Sequence, residues 1–112
     1  MAENIVSIIG GGPAGLYAAR LLKLRRPDWS VTVHERSTVD EPFGFGVSLT
    51  GGALDSFRKA DPDTQRAILD VGVAAPSAEF RLPTGTARIP EFSRGLAVAR
   101  RDLLRLLATA CR

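Results

Sequence analysis

Residues 4–35, NIVSIIGGGPAGLYAARLLKLRRPDWSVTVHE, are the stretch that decides the fold. An apolar run opens the stretch and breaks into the glycine-rich segment 10–15, which a helical pattern follows. A second apolar segment then alternates Val31 and Val33 with polar residues and ends on Glu35. The order strand, glycine turn, helix, strand and acid predicts the βαβ unit that binds dinucleotides.

Each motif glycine has a separate physical task. Gly10 allows a tight turn out of the first strand, and Gly12 lacks the Cβ that would keep a pyrophosphate away from the backbone. Gly15 lets the helix pack close to the strand. The helix that starts at Pro13 and Ala14 would present unpaired N–H groups and a partial charge of about +0.5 to the phosphates.

Glu35 lies at the spacing of roughly 20 residues at which such units place an acid against the ribose. Its carboxylate would accept hydrogen bonds from a ribose diol and repel a 2′-phosphate, which argues against an NADP site. NAD and FAD share the adenosine half, so the motif alone does not separate them. An ordinary βαβ unit, with a glycine turn and a solvated Glu35, is the alternative.

Three segments together resemble the beginning of the class A flavoprotein monooxygenases, the FAD-dependent aromatic hydroxylases of the 4-hydroxybenzoate hydroxylase superfamily. They are Gly10–Gly15 together with Ala19, Val-His-Glu-Arg at 33–36, and Phe-Gly-Phe-Gly-Val-Ser-Leu at 43–49. Within the superfamily the chain is most similar to the salicylyl-CoA hydroxylase-like branch. The likeness is strong over 4–58 and 95–107 and weaker between these segments.

The resemblance implies an α/β fold, namely part of a Rossmann-type FAD domain in which 77–99 begin an inserted antiparallel sheet on the substrate side. It implies tightly bound FAD, NAD(P)H as co-substrate, O₂, and a small aromatic substrate, which in this branch is a CoA thioester. It assigns no catalytic residue within the chain. The predicted cofactor-binding residues are Gly10, Gly12, Pro13, Ala14, Gly15, Glu35, Arg36, Gly46, Val47 and Arg100.

Four of these residues rest on the resemblance alone. Arg36 corresponds to a position near the adenine–ribose end of FAD, and the backbone of Gly46 and Val47 to one near other parts of the flavin. Arg100 corresponds to an arginine facing FAD, at a strand-to-helix corner before Asp-Leu-Leu. The alternatives are a plain loop around 44–47 with packed phenylalanines, a surface role for Arg100, or Arg101 in its place.

The remaining pattern predicts further elements. Residues 36–49 read as a loop, Thr50 caps a helix over 51–59, and Asp61 caps a second helix that Gly72 ends. Alternation over 77–82, a turn and a return over 87–89 predict a half-buried hairpin. A buried strand at 95–99 leads into an amphipathic helix.

Composition and missing motifs argue against nucleic-acid binding, disulfide reduction, amine oxidation, metal binding and a membrane span. The net charge of +3 comes from scattered arginines, so no tract suggests nucleic acid. Cys111 is the single cysteine, which rules out an internal disulfide and the CxxC of a disulfide reductase. No Gly-Gly pair follows residues 35–36, which argues against an amine oxidase. His34 has no second ligand beside it for a metal, and apolar runs stay well below the ~18 residues of a membrane span.

The chain has 112 residues, which is short for an enzyme of this kind. The resemblance implies three further parts that these residues do not contain: another parallel strand, a later Gly-Asp segment and most of a substrate domain. We therefore expect an N-terminal fragment of a longer, cytoplasmic flavoprotein, or a truncated reading frame. A non-catalytic fragment that binds adenine nucleotides weakly, or not at all, is the alternative outside the enzymes.

Overall fold

A computed structural model of the chain describes residues 4–37, 45–75, 78–89 and 95–112. The elements, in chain order, are β1 Ile5–Ile9, α1 Pro13–Arg25, β2 Ser30–His34, β3 Gly46–Leu49, α2 Gly51–Ala60, α3 Pro62–Val71, β4 Val73–Ala75, β5 Ala78–Leu82, β6 Gly85–Ile89, β7 Gly95–Ala99 and α4 Arg100–Ala110. They form two compact units, Met1–Phe45 with Arg100–Arg112, and Gly46–Ala99. The α/β class predicted from the sequence is confirmed.

The first unit contains the predicted βαβ arrangement. Strands β1 and β2 pair in parallel, with Ile5 opposite Ser30 and Ile9 opposite His34. Helix α1 forms the crossover and buries Leu16 and Ala19. Because a parallel pair needs a crossover connection, the glycine turn and α1 together place the end of β2 beside the end of β1.

Helix α4 packs against α1 in the same unit and buries Leu103 and Leu107. Two long-range hydrogen bonds join the end of α4 to α1. Arg20 Nη1 donates to the Ala110 carbonyl at 3.0 Å, and Cys111 Sγ donates to the Leu16 carbonyl at 3.1 Å. Partial burial raises the pKa of the Cys111 thiol, which disfavours a reactive thiolate.

The second unit contains an antiparallel sheet of order β3-β7-β4 and the hairpin β5–β6. Thr50 caps α2 by accepting from Ala53 N at 3.1 Å, as predicted. Asp61 follows α2 and caps α3, accepting from Thr64 N at 3.3 Å and from the Thr64 hydroxyl. The buried apolar residues of this unit are Leu54, Ile68 and Val98.

Three details of the sequence-based prediction are wrong. Residues 46–49 form strand β3 and not the predicted loop. Phe45 is 99% exposed and therefore does not pack into a core. The predicted hairpin forms, but Phe80 and Leu82 are 51% and 60% exposed, so the apolar face of the hairpin is not buried against a core.

The assignment of 77–99 to a substrate-side sheet remains a prediction. Phe43 lies outside the described residues. Among the described residues, no helix has both the length and the apolar character needed to cross a bilayer.

Candidate dinucleotide-binding site

The glycine turn connects β1 to α1 at the carboxyl end of the parallel strand pair. Gly10 adopts φ 105°, in the left-handed region that favours glycine, and its N–H donates to the His34 carbonyl at 2.8 Å. A Cβ on Gly15 would lie only 2.0 Å from the Gly10 carbonyl oxygen. Gly10 therefore forms the turn and Gly15 permits the close packing, which are the structural tasks that the sequence predicts.

The N-terminus of α1 carries no side-chain cap. Its N-cap residue is Gly12, Pro13 follows at the first helical position, and the first turn contains no acid. Thr50 and Asp61 cap α2 and α3 with their side chains, whereas no side chain caps the N-terminus of α1. Uncapped N–H groups at a helix N-terminus favour an anion.

The space above Gly12 is open. A Cβ placed on Gly12 would have one atom within 4 Å, Arg100 Nη2 at 3.9 Å. The structure therefore brings the guanidinium of Arg100 to the N-terminus of α1, whereas Arg101 is exposed on the next position of α4. An uncapped helix end, an open backbone and an adjacent cation together fit a pyrophosphate group.

Glu35 follows the last residue of β2 and turns back onto the glycine turn. Its Oε2 accepts from Gly11 N at 2.7 Å, and its Oε1 accepts from Ser37 N at 3.2 Å. These two backbone donors, Gly11 first, lower the pKa of Glu35 below its ordinary value; desolvation opposes them, and the backbone N–H and charge of Arg36 add to the lowering. Each carboxylate oxygen has a second lone pair, so the exposed side chain can still accept from ribose hydroxyls.

The structure therefore brings together the glycine turn, Glu35 and Arg100 within one unit. Ala14 lies exposed in the first turn of α1, and Arg36 is exposed beside Glu35. Gly46 and Val47 belong to β3 in the second unit, where they pair with Ala99 and Val98 of β7. The contacts of all these residues with a cofactor remain predictions.

Sequence reasoning missed the part played by Gly11. The motif treats the position between the first two glycines as variable, and the bond from Gly11 N to Glu35 spans 24 residues of sequence. No local pattern signals such a contact. Within the described ranges, no group of three or more His, Cys, Asp or Glu side chains could hold a metal ion.

The fold is similar to part of a solved oxygenase structure. The tetrameric form of 2-methyl-3-hydroxypyridine-5-carboxylic acid oxygenase superposes with a TM-score of 0.79 and 24% identity, over 100% of this chain and 30% of that one. A second structure of the same oxygenase gives a TM-score of 0.77 over 99% of this chain. This likeness concerns the fold.

Three sequence relatives of the chain are a hydroxylase and two monooxygenases. Salicyloyl-CoA 5-hydroxylase of a Streptomyces species is 39% identical over 107 residues, which are 96% of this chain and 20% of that enzyme. 3-Hydroxy-4-methyl-anthranilyl-[aryl-carrier protein] 5-monooxygenase of Streptosporangium sibiricum is 31% identical over 95% of this chain and 30% of that enzyme. Protodeoxyviolaceinate monooxygenase of Chromobacterium violaceum is 32% identical over 96% of this chain and 31% of that enzyme.

The chain is therefore related to aromatic monooxygenases, as the resemblance in its sequence predicts. It spans between 20% and 31% of the length of these three relatives. No family model matches the chain.

Proposed function

We propose that this chain is the FAD-binding portion of a flavoprotein monooxygenase that hydroxylates an aromatic substrate with NAD(P)H and O₂. The observation that carries the proposal is the uncapped N-terminus of α1, where the open backbone of Gly12 lies beside Arg100 Nη2. A diphosphate is the part of FAD that such an arrangement of donors and charge suits best.

The adenosine half of FAD would lie toward the end of β2. Glu35, already oriented by two backbone donors, would accept from the ribose hydroxyls, and its charge would disfavour a 2′-phosphate. The sequence relatives, named as hydroxylases and monooxygenases, favour FAD over NAD as the resident dinucleotide. Arg36, Gly46 and Val47 are proposed as further contacts on the strength of the resemblance alone.

FAD, when bound, supplies the redox chemistry that activates O₂, and the protein supplies binding, orientation and exclusion of water. We assign binding and orientation to the residues of this chain and catalysis to none of them. The similarity to a salicyloyl-CoA hydroxylase favours an aromatic CoA thioester as substrate. NAD(P)H as the reductant and a cytoplasmic location are part of the same proposal.

The substitution Gly12→Val in the full-length protein tests the phosphate site. Gly12 has an extended backbone, φ −73° and ψ −177°, and the nearest atom to its Cβ position is 3.9 Å away. A Cβ at position 12 therefore meets no close contact within the fold, whereas the branched side chain of valine would occupy the space proposed for the pyrophosphate. We expect the variant to fold and to purify without flavin, as measured by the ratio of visible to ultraviolet absorbance.

Gly52→Val in α2 is the matched control, since its nearest atom is Thr50 Oγ1 at 3.8 Å and it lies outside the proposed site. This control should keep the flavin content of the wild type. A Gly12→Val protein that stays as yellow as the wild type would show that the diphosphate does not bind at the N-terminus of α1.

A further inference from the structure

Gly11 lies in the middle of the glycine turn, at a position that the motif leaves open to other residues. It is buried, and positive φ values among the described glycines occur at Gly10 and Gly85. The backbone conformation of Gly11 therefore does not require glycine. Space does, because a Cβ on Gly11 would lie 2.8 Å from Glu35 Cβ and 3.1 Å from Glu35 Cγ.

The contact with Glu35 Cβ determines whether Glu35 can move away from a side chain at position 11. Rotation about χ1 of Glu35 can move Cγ and the carboxylate, but Cβ is fixed by the backbone at the end of β2. A methyl group at position 11 would therefore force the glycine turn and the end of β2 apart. The hydrogen bond from Gly11 N to Glu35 Oε2, now 2.7 Å, would lengthen or break.

We infer that Gly11 is a positioning residue for Glu35. Its missing side chain allows Glu35 to lie against the turn, and its N–H fixes one carboxylate oxygen, while Ser37 N fixes the other. The carboxylate is thereby held in one orientation before any ligand arrives, which reduces the ordering cost of binding. The inference rests on the proposed function only in naming the ribose hydroxyls of FAD as what this carboxylate receives.

The test compares Gly11→Ala with the matched control Gly52→Ala in the full-length protein. The first measurement needs no cofactor: the pKa of Glu35 is followed by the carbon resonance of its carboxyl group, assigned by its absence from Glu35→Gln. We expect the pKa to rise toward the ordinary value in Gly11→Ala and to stay unchanged in Gly52→Ala. The second measurement is FAD affinity, which should fall about tenfold in Gly11→Ala, the size expected for one charge-assisted hydrogen bond.

The background Glu35→Gln separates positioning from general damage to the turn. If Gly11 acts through Glu35, adding Gly11→Ala to Glu35→Gln should cost much less affinity than it costs the wild type. An unchanged Glu35 pKa in folded Gly11→Ala overturns the inference. If the Glu35 pKa rises in Gly11→Ala but the wild-type protein binds no FAD, the positioning by Gly11 is supported and the proposed function is overturned instead.

The wild-type protein provides a measurement that does not depend on how well Gly11→Ala folds. The Gly11 amide proton resonance should shift with pH at the pKa of Glu35, and this titration should be lost in Glu35→Gln. A Gly11 amide that does not report the Glu35 titration overturns the inference even if the alanine variant aggregates.

Discussion

At the scale of single residues, the glycines of the turn are required for different reasons. Gly15 is the most constrained by packing, because a Cβ there would lie 2.0 Å from a backbone oxygen of Gly10, which cannot rotate away. We expect Gly15→Ala to lower the free energy of unfolding by about 3 kcal/mol or more. Gly52→Ala, in open space on α2, should be neutral or stabilise by up to about 1 kcal/mol. Chemical denaturation measures both, and equal stabilities would contradict the packing role of Gly15.

The lowered pKa of Glu35 leads to a second prediction, which concerns how stability depends on pH. Its pKa is lowered in the folded chain, chiefly by Gly11 N, so its ionised form stabilises the fold above the pKa of the unfolded chain. That contribution is lost as the pH falls through the lower, folded pKa. The unfolding free energy of the wild type should therefore fall more with acid than that of Glu35→Gln, in denaturation series from neutral to acidic pH. Parallel curves for the two proteins would show that the Gly11 hydrogen bond does not stabilise the fold.

At the scale of elements, β1 presents two faces of opposite character. Val6 and Ile8 are half-buried, and Ile8 lies on the α1 side, since its Cγ2 is 3.3 Å from the Cβ position of Gly15. Ile5 and Ile9 alternate with them and are 73% and 83% exposed. Faces of a parallel sheet are normally covered on both sides. We therefore expect self-association of the chain, where it occurs, to use the exposed face of β1.

This contrast predicts opposite effects for the same chemical change on one strand. Ile5→Thr with Ile9→Thr keeps the strand propensity and should raise solubility, while changing stability by less than about 0.5 kcal/mol per site. Val6→Thr with Ile8→Thr places hydroxyls against α1 and should cost about 1–3 kcal/mol per site. Thermal denaturation and light scattering measure the two pairs. Equal destabilisation by both pairs would mean that the exposed face of β1 is covered in solution.

Elements whose signals are local could be predicted from the sequence. The turn glycines, the Thr50 and Asp61 caps and the hairpin turn each depend on residues within a few positions, and all of them form. Strands β3 and β4 could not, because they are 4 and 3 residues long and exist through pairing with β7, far along the chain. The exposure of Phe80 and the contact of Gly11 with Glu35 were missed because they depend on tertiary neighbours that a period-2 pattern or a motif does not encode.

At the scale of the whole molecule, large apolar side chains are exposed in each compact unit. Ile5 and Ile9 are exposed in the first, and Val73, Phe80 and Leu82 in the second. Exposed apolar surface of this kind usually belongs to an interface or promotes aggregation. We therefore expect the purified 112-residue chain to bind a hydrophobic dye and to self-associate, as measured by fluorescence and by light scattering. A monodisperse chain that binds no dye would show that these side chains are covered.

The proposed site also predicts the relative affinities of the isolated chain for ADP and for FAD. Its contacts concern the diphosphate, through the N-terminus of α1 and Arg100, and the adenosine ribose, through Glu35. These groups belong to the ADP half of FAD, and only the backbone of Gly46 and Val47 is proposed near other parts of the flavin. ADP and FAD should therefore bind the 112-residue chain with weak affinities that agree within about tenfold. Titration calorimetry measures both, with Gly12→Val as the non-binding control, and oxygen consumption with NAD(P)H and an aromatic CoA thioester should be absent. FAD binding more than about a hundredfold tighter than ADP binding would show that this chain also holds the isoalloxazine ring, and the proposed site would then be incomplete.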